Sequence, residues 1–185
     1  MKTRLEEPQD IRQQIWKELG RASQDRHHEW RTPVLATVGR DGTANARTVV
    51  LREVDAKAQT LQIFTDGRSV KVQELTQQAH AVLVFWSKRL SWQLRVRADI
   101  TLQTHGPEVE MLWDRVKQSA AAGDYLSPAA PGSLLASNRV TSTAANQHHF
   151  TLLTAHVVVI DWLELAREGH RRAKIGADTW DWLVP

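Results

Sequence analysis

Arg68-Ser69-Val70-Lys71 carries the densest chemistry in the chain. The apolar spacing that follows predicts a short helix over Ser69–Gln78, with Val72, Leu75 and Ala79 on its buried side. Cations at a helix start oppose the macrodipole, whose positive end lies there. A bound anion resolves that conflict. It takes the free backbone N–H groups, the Ser69 hydroxyl and the Arg68 and Lys71 side chains together. Phosphate is the obvious candidate. The plain alternative is two solvated cations, each costing roughly a few tenths of a kcal/mol.

A second pair of cations stands upstream. Arg47-Thr48-Val49-Val50-Leu51-Arg52 reads as the centre of one β-strand running Ala44–Glu53, β-branched or apolar between its two arginines. Arg47 and Arg52 are five residues apart, roughly 17 Å along an extended strand. That is about the span of a long anionic ligand, though a core strand with solvated arginines at its ends gives the same pattern. A further strand, Thr60–Thr65, ends in Phe64-Thr65 just before the helix. If these strands form a meander, a basic site and a flat aromatic wall share one groove. A flavin mononucleotide would fit it, with its phosphate at the helix start and its ring needing hydrogen-bond partners and positive charge.

The elements that must position these groups can be read in order. Pro8–Leu19 is a helix, with Ile11, Ile15 and Leu19 on one side, Pro8 in its first turn and Gly20 as its stop. Arg21–Arg31 is a polar loop. Its His27-His28-Glu29 is read as solvated rather than metal-binding, because adjacent histidines point in different directions. Thr32–Val38 is a strand, and Gly39-Arg-Asp-Gly42 turns it back into the arginine strand. After the Ser69–Gln78 helix come an apolar strand, Ala81–Trp86, and a long one, Ser91–Gln103. In the latter Trp92, Leu94, Val96, Ala98, Ile100 and Leu102 alternate with polar residues. A helix over Pro107–Gln118, an irregular Ala/Ser/Pro-rich segment at 119–149 with a short helix around Ser133–Ser137, and strands at Phe150–Ile160, Arg171–Ile175 and Thr179–Leu183 complete the chain. So many antiparallel strands with a few peripheral helices indicate a single mainly-β domain over residues 1–185, closed or split into a barrel.

Composition narrows the chemistry. The chain of 185 residues has no cysteine, which excludes disulfides and thiolate catalysis. Its net charge of +3 suits an anionic ligand, but no block of like charge marks a nucleic-acid surface. No apolar run is long enough to cross a membrane and the N-terminus lacks an apolar signal core, so a cytoplasmic protein is expected.

Taken together, Arg47-Thr-Val-Val-Leu-Arg52, Ile63-Phe-Thr65, Ser69-Val-Lys71, Ser91-Trp-Gln93-Leu-Arg-Val, Asp161-Trp162-Leu and Gly169-His-Arg-Arg172 resemble the pyridoxamine 5′-phosphate oxidase family. Their order and spacing carry the likeness across most of residues 31–185. The resemblance implies an FMN-binding split β-barrel of antiparallel, Greek-key type with flanking helices, acting as a homodimer with FMN at the subunit interface. It implies that Arg47 holds the FMN phosphate, with Thr48, Val49 and Val50 beside the cofactor. Arg52 stands where the family has a lysine near flavin and substrate. Phe64 and Thr65 match an aromatic-Thr pair that touches the flavin. The family's Ser-Arg-Lys phosphate grip becomes Ser69-Val70-Lys71, with Arg68 standing in for the missing arginine. Gln93 matches a flavin-contacting glutamine. From the partner subunit come Trp162 and Arg172 against the flavin, and His170 on the substrate side.

The implied activity is hydride transfer between bound FMN and a small-molecule substrate. No side chain demands a general-base role, so no catalytic residue is named, and no metal is called for. The Ala120–Ala122 run offers no side-chain donor for a second phosphate. FMN is therefore indicated more firmly than pyridoxamine phosphate as substrate. The alternative is a protein that binds FMN for storage or sensing without turnover.

Overall fold

A computed structural model describes residues 4–135 and 147–185. Helix α1 spans Pro8–Gln24. The strands are β1 (Val34–Val38), β2 (Ala44–Thr48), β3 (Leu51–Asp55), β4 (Thr60–Asp66), β5 (His80–Ser87), β6 (Trp92–Gln103), β7 (Phe150–Glu164), β8 (Arg171–Ile175) and β9 (Trp180–Leu183). Helix α2 (Val70–Gln77) follows β4, and α3 (Pro107–Val116) follows β6.

The strands form one antiparallel sheet in the order β2-β1-β5-β6-β7-β4-β3, with β8 and β9 extending from β7. The two ends of that path, β2 and β3, are consecutive in sequence and joined only by Val49-Val50. In a flat sheet, strands six places apart would lie roughly 29 Å from each other. The step from Thr48 to Leu51 reaches at most about 11 Å. The sheet therefore curls until its edges nearly meet, which is a split barrel. The single strand expected over Ala44–Glu53 is thus two strands on opposite lips of a seam. Val49 marks the crossing, its N–H donating to Pro33 O at 3.0 Å.

Strict alternation puts Trp92, Leu94, Val96 and Ala98 inside, where they meet Leu83, Phe85, Ile160 and Ala173. Helix α1 closes this core with Ile11, Ile15, Leu19 and Ala22, none of which has exposed surface. Each of the Ile and Leu side chains contributes about 1.5–3 kcal/mol by leaving water. The helix does not stop at Gly20, because Ala22 and Ser23 in its last turn still face the core.

The expected loop after α1 is also more ordered than its polarity suggests. His28 is not solvated. Its Nε2–H donates to buried Glu18 at 2.8 Å, while its Nδ1 accepts from the Trp30 N–H at 3.1 Å, which fixes the neutral tautomer. Glu18 also accepts from Gln14, Arg21 and Arg89. A 3-10 turn at Glu29–Arg31 buries Trp30 completely.

A second, smaller core lies under α3, where Val109 and Leu112 meet Tyr125, Phe150 and Leu152. Tyr125 ends a 3-10 turn at Ala120–Tyr125 inside the segment expected to be irregular. The short helix expected around Ser133–Ser137 is not formed at Ser133–Leu135, and its remaining two residues lie outside the described ones. β7 runs four residues past its expected end at Ile160. Among the described residues no helix is long and apolar enough to cross a membrane, and no group of three or more His, Asp or Glu is placed to hold a metal ion.

Candidate functional site

The seam, the end of β4 and the start of α2 border an open cavity of about 270 Å³. Thr48–Val50 line it from the seam, Arg52 from β3, Phe64–Asp66 from β4 and Lys71 from α2; Asp124, Tyr125 and Pro131 form its far wall. The turn into α2 is built for close approach. A Cβ on Gly67 would sit 2.5 Å from the Thr151 hydroxyl, and the Gly67 N–H donates to His149 O at 2.8 Å.

Lys71 points back along this turn. Its Nζ donates to the hydroxyls of Thr65 at 2.7 Å and Ser69 at 3.1 Å, and it forms no ion pair among the described residues. Burial lowers its pKa, the nearby charge of Arg47 lowers it further, and Asp66 and Glu74 only partly oppose them. A desolvated ammonium held by neutral hydroxyls beside a helix start is set up to receive an anion.

Arg47 stands behind Lys71 rather than in the cavity wall. Its guanidinium bonds Leu35 O, the Thr37 hydroxyl and Glu74, the last at 3.1 Å. Glu74, 6% exposed, also accepts from Thr37 and Asn45 at 2.6 Å each. The charge of Arg47 also reaches Lys71. Burial alone would raise the pKa of Glu74, but the Thr37 and Asn45 hydrogen bonds and Arg47's charge together bring it below the ordinary range. A carboxylate so lowered stabilises the fold above its unfolded pKa, and that contribution disappears as pH falls through the folded value. Glu74→Gln puts an amide N–H against donors and removes a charge-assisted bond, so a loss of about 1–2 kcal/mol is expected in urea unfolding at pH 7. The loss should narrow as pH falls through the lowered value of Glu74, and equal stability of the two proteins at pH 7 would refute it.

Arg52 is the extra residue of a β-bulge, because Leu51 pairs with Ile63 while Glu53 pairs with Gln62. The bulge re-aims its side chain. The guanidinium lies 5.6 Å from the Phe64 ring centroid, and its Nε is buried without a hydrogen-bond partner. Burial raises the pKa of Tyr125, and the adjacent Arg52 pulls it partly back. An unpartnered donor beside a cavity is a group awaiting a ligand acceptor.

Arg68, expected beside the phosphate, is engaged by protein groups. Its guanidinium forks onto Asp66 at 3.1 and 2.7 Å and bonds the carbonyls of Ser127, Pro128 and Ala129. The sequence reading missed Asp66, Glu74 and the wall residues Asp124, Tyr125 and Pro131. Asp66-Gly67, a turn pair before a helix, was the one local signal available.

Gln93, Arg172 and His170 are not brought to this cavity within the chain. Phe64 pairs with Leu152 on β7, whereas Gln93 pairs with Leu163, eleven positions on, or roughly 36 Å along the strand. Gln93, Leu163 and Arg172 form one row across three strands on the outer face of the sheet. Arg172 there forks onto Asp161 at 2.9 and 2.7 Å. His170 accepts the Ala166 N–H in the turn before β8. Trp162 faces inward within its own chain, fully buried among Trp92, Trp180 and Trp182. Leu163 holds the outward position.

Residues 13–104 match the family model described as "Pyridoxamine 5′-phosphate oxidase, FMN-binding domain". The pyridoxine/pyridoxamine 5′-phosphate oxidase of Thermosynechococcus vestitus is 44% identical over 66 residues, which cover 36% of this chain and 30% of that protein. The protein of the same name from Salinibacter ruber is 33% identical over 94 residues, covering 51% and 42%. These matches thus span less than half of either relative. Over nearly the whole chain the fold is similar to that of a pyridoxamine 5′-phosphate oxidase-related, FMN-binding protein from Nostoc punctiforme, with TM-score 0.72, 23% identity, and coverage of 97% and 98%. It is also similar to PhzG from Burkholderia lata, with TM-score 0.71, 17% identity, and coverage of 97% and 93%. At these identities the structural likeness speaks for the fold alone.

Proposed function

This chain belongs to the pyridoxamine 5′-phosphate oxidase-like split-barrel family, and from that premise we propose that it binds FMN in the seam cavity and exchanges a hydride between the flavin and a small molecule. The observation that carries the reading is Lys71, a partly buried cation with hydroxyl partners and no counter-ion among the described residues. The phosphate of FMN would supply that counter-ion, with the Ser69 and Thr65 hydroxyls as further donors. The unpartnered Nε of Arg52 and the apolar sides of Val49, Val50 and Phe64 suit a flat, hydrogen-bonding ring.

When bound, FMN supplies the two-electron chemistry. The residues of this chain hold and polarise. Lys71 and Arg47 concentrate positive charge at one end of the cavity. Arg52 keeps a fixed cation beside Phe64 and Tyr125, where negative charge arising in a reaction would be stabilised without reorganisation. The buried wall at Tyr125 limits water on that side.

We further propose a homodimer. The outer sheet face carries Val34, Trp86 and Leu183 exposed at 37%, 46% and 39%, in the same rows as Gln93, Arg95 and Arg172. A second copy covering this face would remove the apolar groups from water and could offer Gln93 and Arg172 to its neighbour's cavity.

Protein reconstituted with excess FMN and desalted should stay yellow, release flavin on acidification, and elute as a dimer. Colourless protein after desalting would end the FMN reading. Bound flavin that no amine, alcohol or reduced nicotinamide can bleach would instead mark a carrier without turnover.

A further inference from the structure

Arg68 has a position its residue type did not suggest. Asp66 accepts from its backbone N–H at 2.8 Å, from Nε at 3.1 Å and from Nη2 at 2.7 Å, which fixes the guanidinium plane. In that plane Nη2 also reaches the carbonyls of Ser127 at 2.8 Å and Ala129 at 3.3 Å, and Nη1 reaches that of Pro128 at 3.2 Å. These carbonyls belong to the stretch that carries Asp124, Tyr125 and Pro131, the far wall of the seam cavity. A second tie runs the same way: the His149 N–H donates to Tyr125 O, and His149 O accepts from Gly67, both at 2.8 Å. Both ties end on the Asp66–Arg68 turn that also starts α2.

We infer that Arg68 is a positioning residue, which straps the Asp124–Pro131 wall over the cavity and thereby slows escape of whatever the cavity holds. The inference rests on the FMN reading for the identity of that ligand. A planar fork spanning a carboxylate and a run of carbonyls is a task for arginine; a lysine ammonium brings the charge without the geometry.

The test compares Arg68→Ala, Arg68→Lys and Lys71→Ala with the unmodified protein, using FMN and riboflavin, which lacks the phosphate. Release of each flavin is followed by recovery of its fluorescence on dilution, and the wall is probed by limited proteolysis of the flavin-free protein. Both Arg68 variants should release FMN and riboflavin about tenfold faster, the effect of losing one or two hydrogen bonds. Both should be cut within residues 124–135 at protease levels that spare the parent, and both should keep the parent's FMN-to-riboflavin affinity ratio. Lys71→Ala should change that ratio and leave the cutting unchanged. If Arg68→Ala weakens FMN alone and Arg68→Lys restores it, Arg68 is a phosphate ligand and the inference is wrong. Unchanged release and unchanged cutting in both variants overturn it equally. Failure of the FMN reading shows elsewhere, as no retention of either flavin by the parent, and in that case the strap inference fails with it.

Discussion

Lys71→Ala is expected to weaken FMN binding by roughly 10- to 100-fold while leaving riboflavin binding nearly unchanged, because a charge-assisted hydrogen bond contributes about 1.5–3 kcal/mol. The asymmetry is the informative part. Lys71 touches Thr65 and Ser69 and no carboxylate among the described residues, so removing it breaks no ion pair. The fold should even gain slightly, since a desolvated charge beside Arg47 is lost. A substitution that leaves stability intact and selectively weakens the phosphorylated flavin has one simple cause. Titration calorimetry with the two flavins decides it, and equal weakening of both would place the phosphate elsewhere.

The same residue makes FMN binding depend on pH. Burial and Arg47 lower the Lys71 pKa below the ordinary lysine value of 10.5, so the free protein loses this proton earlier than an exposed lysine would. A bound phosphate favours the charged form and raises the value again. FMN affinity is therefore level while Lys71 is protonated in both states, and declines once pH passes the lowered value of the free protein. Over the interval up to the unfolded value, stability of the flavin-free protein should rise, because the depressed group no longer costs energy when neutral. Riboflavin affinity should be flat there. An FMN profile that runs parallel to the riboflavin profile would exclude Lys71 as the phosphate partner.

Residue types near the site were legible in the sequence because they are local: Phe64-Thr65, Ser69 and Lys71 lie within one strand end and the turn that follows. Which cation was free was not legible, because pairing is decided by partners on other elements. Glu74 takes Arg47 from twenty-seven positions away, and the carbonyls that engage Arg68 lie about sixty positions on. The break at Val49-Val50 was hidden for a related reason. Thr48-Val-Val-Leu51 is an unbroken run of good strand formers, and only barrel closure, a property of all seven strands in the path, makes it a crossing. By contrast the core face of β6 was fully readable. Its alternation is held over twelve residues, and burial follows it position by position from Trp92 to Ile100.

Trp162→Ala should lower the unfolding free energy by about 3–5 kcal/mol, the usual cost of emptying a buried aromatic site. Strand period two makes adjacent residues face opposite ways, so a reading off by one position exchanges a core residue for a surface one. In Asp161-Trp162-Leu163, Asp161 and Leu163 look outward, and Trp162 looks in. Its ring meets Trp92 edge-on at 5.3 Å, Trp180 and Trp182 at 6.3 Å each, and the Arg171 guanidinium at 5.5 Å. Through Trp180 and Trp182 it anchors β9, which among the described residues pairs only with β8. A cost of this size is a large share of the stability of a domain this long, so the alanine variant should unfold at much lower urea. Trp162→Phe retains most of the packing and removes an indole N–H that has no partner, and should cost about 1–2 kcal/mol. FMN affinity of the phenylalanine variant, measured where it is fully folded, should equal that of the parent. A tenfold drop under those conditions would show that the indole reaches the flavin after all, and the inward register of Trp162 would have to be abandoned.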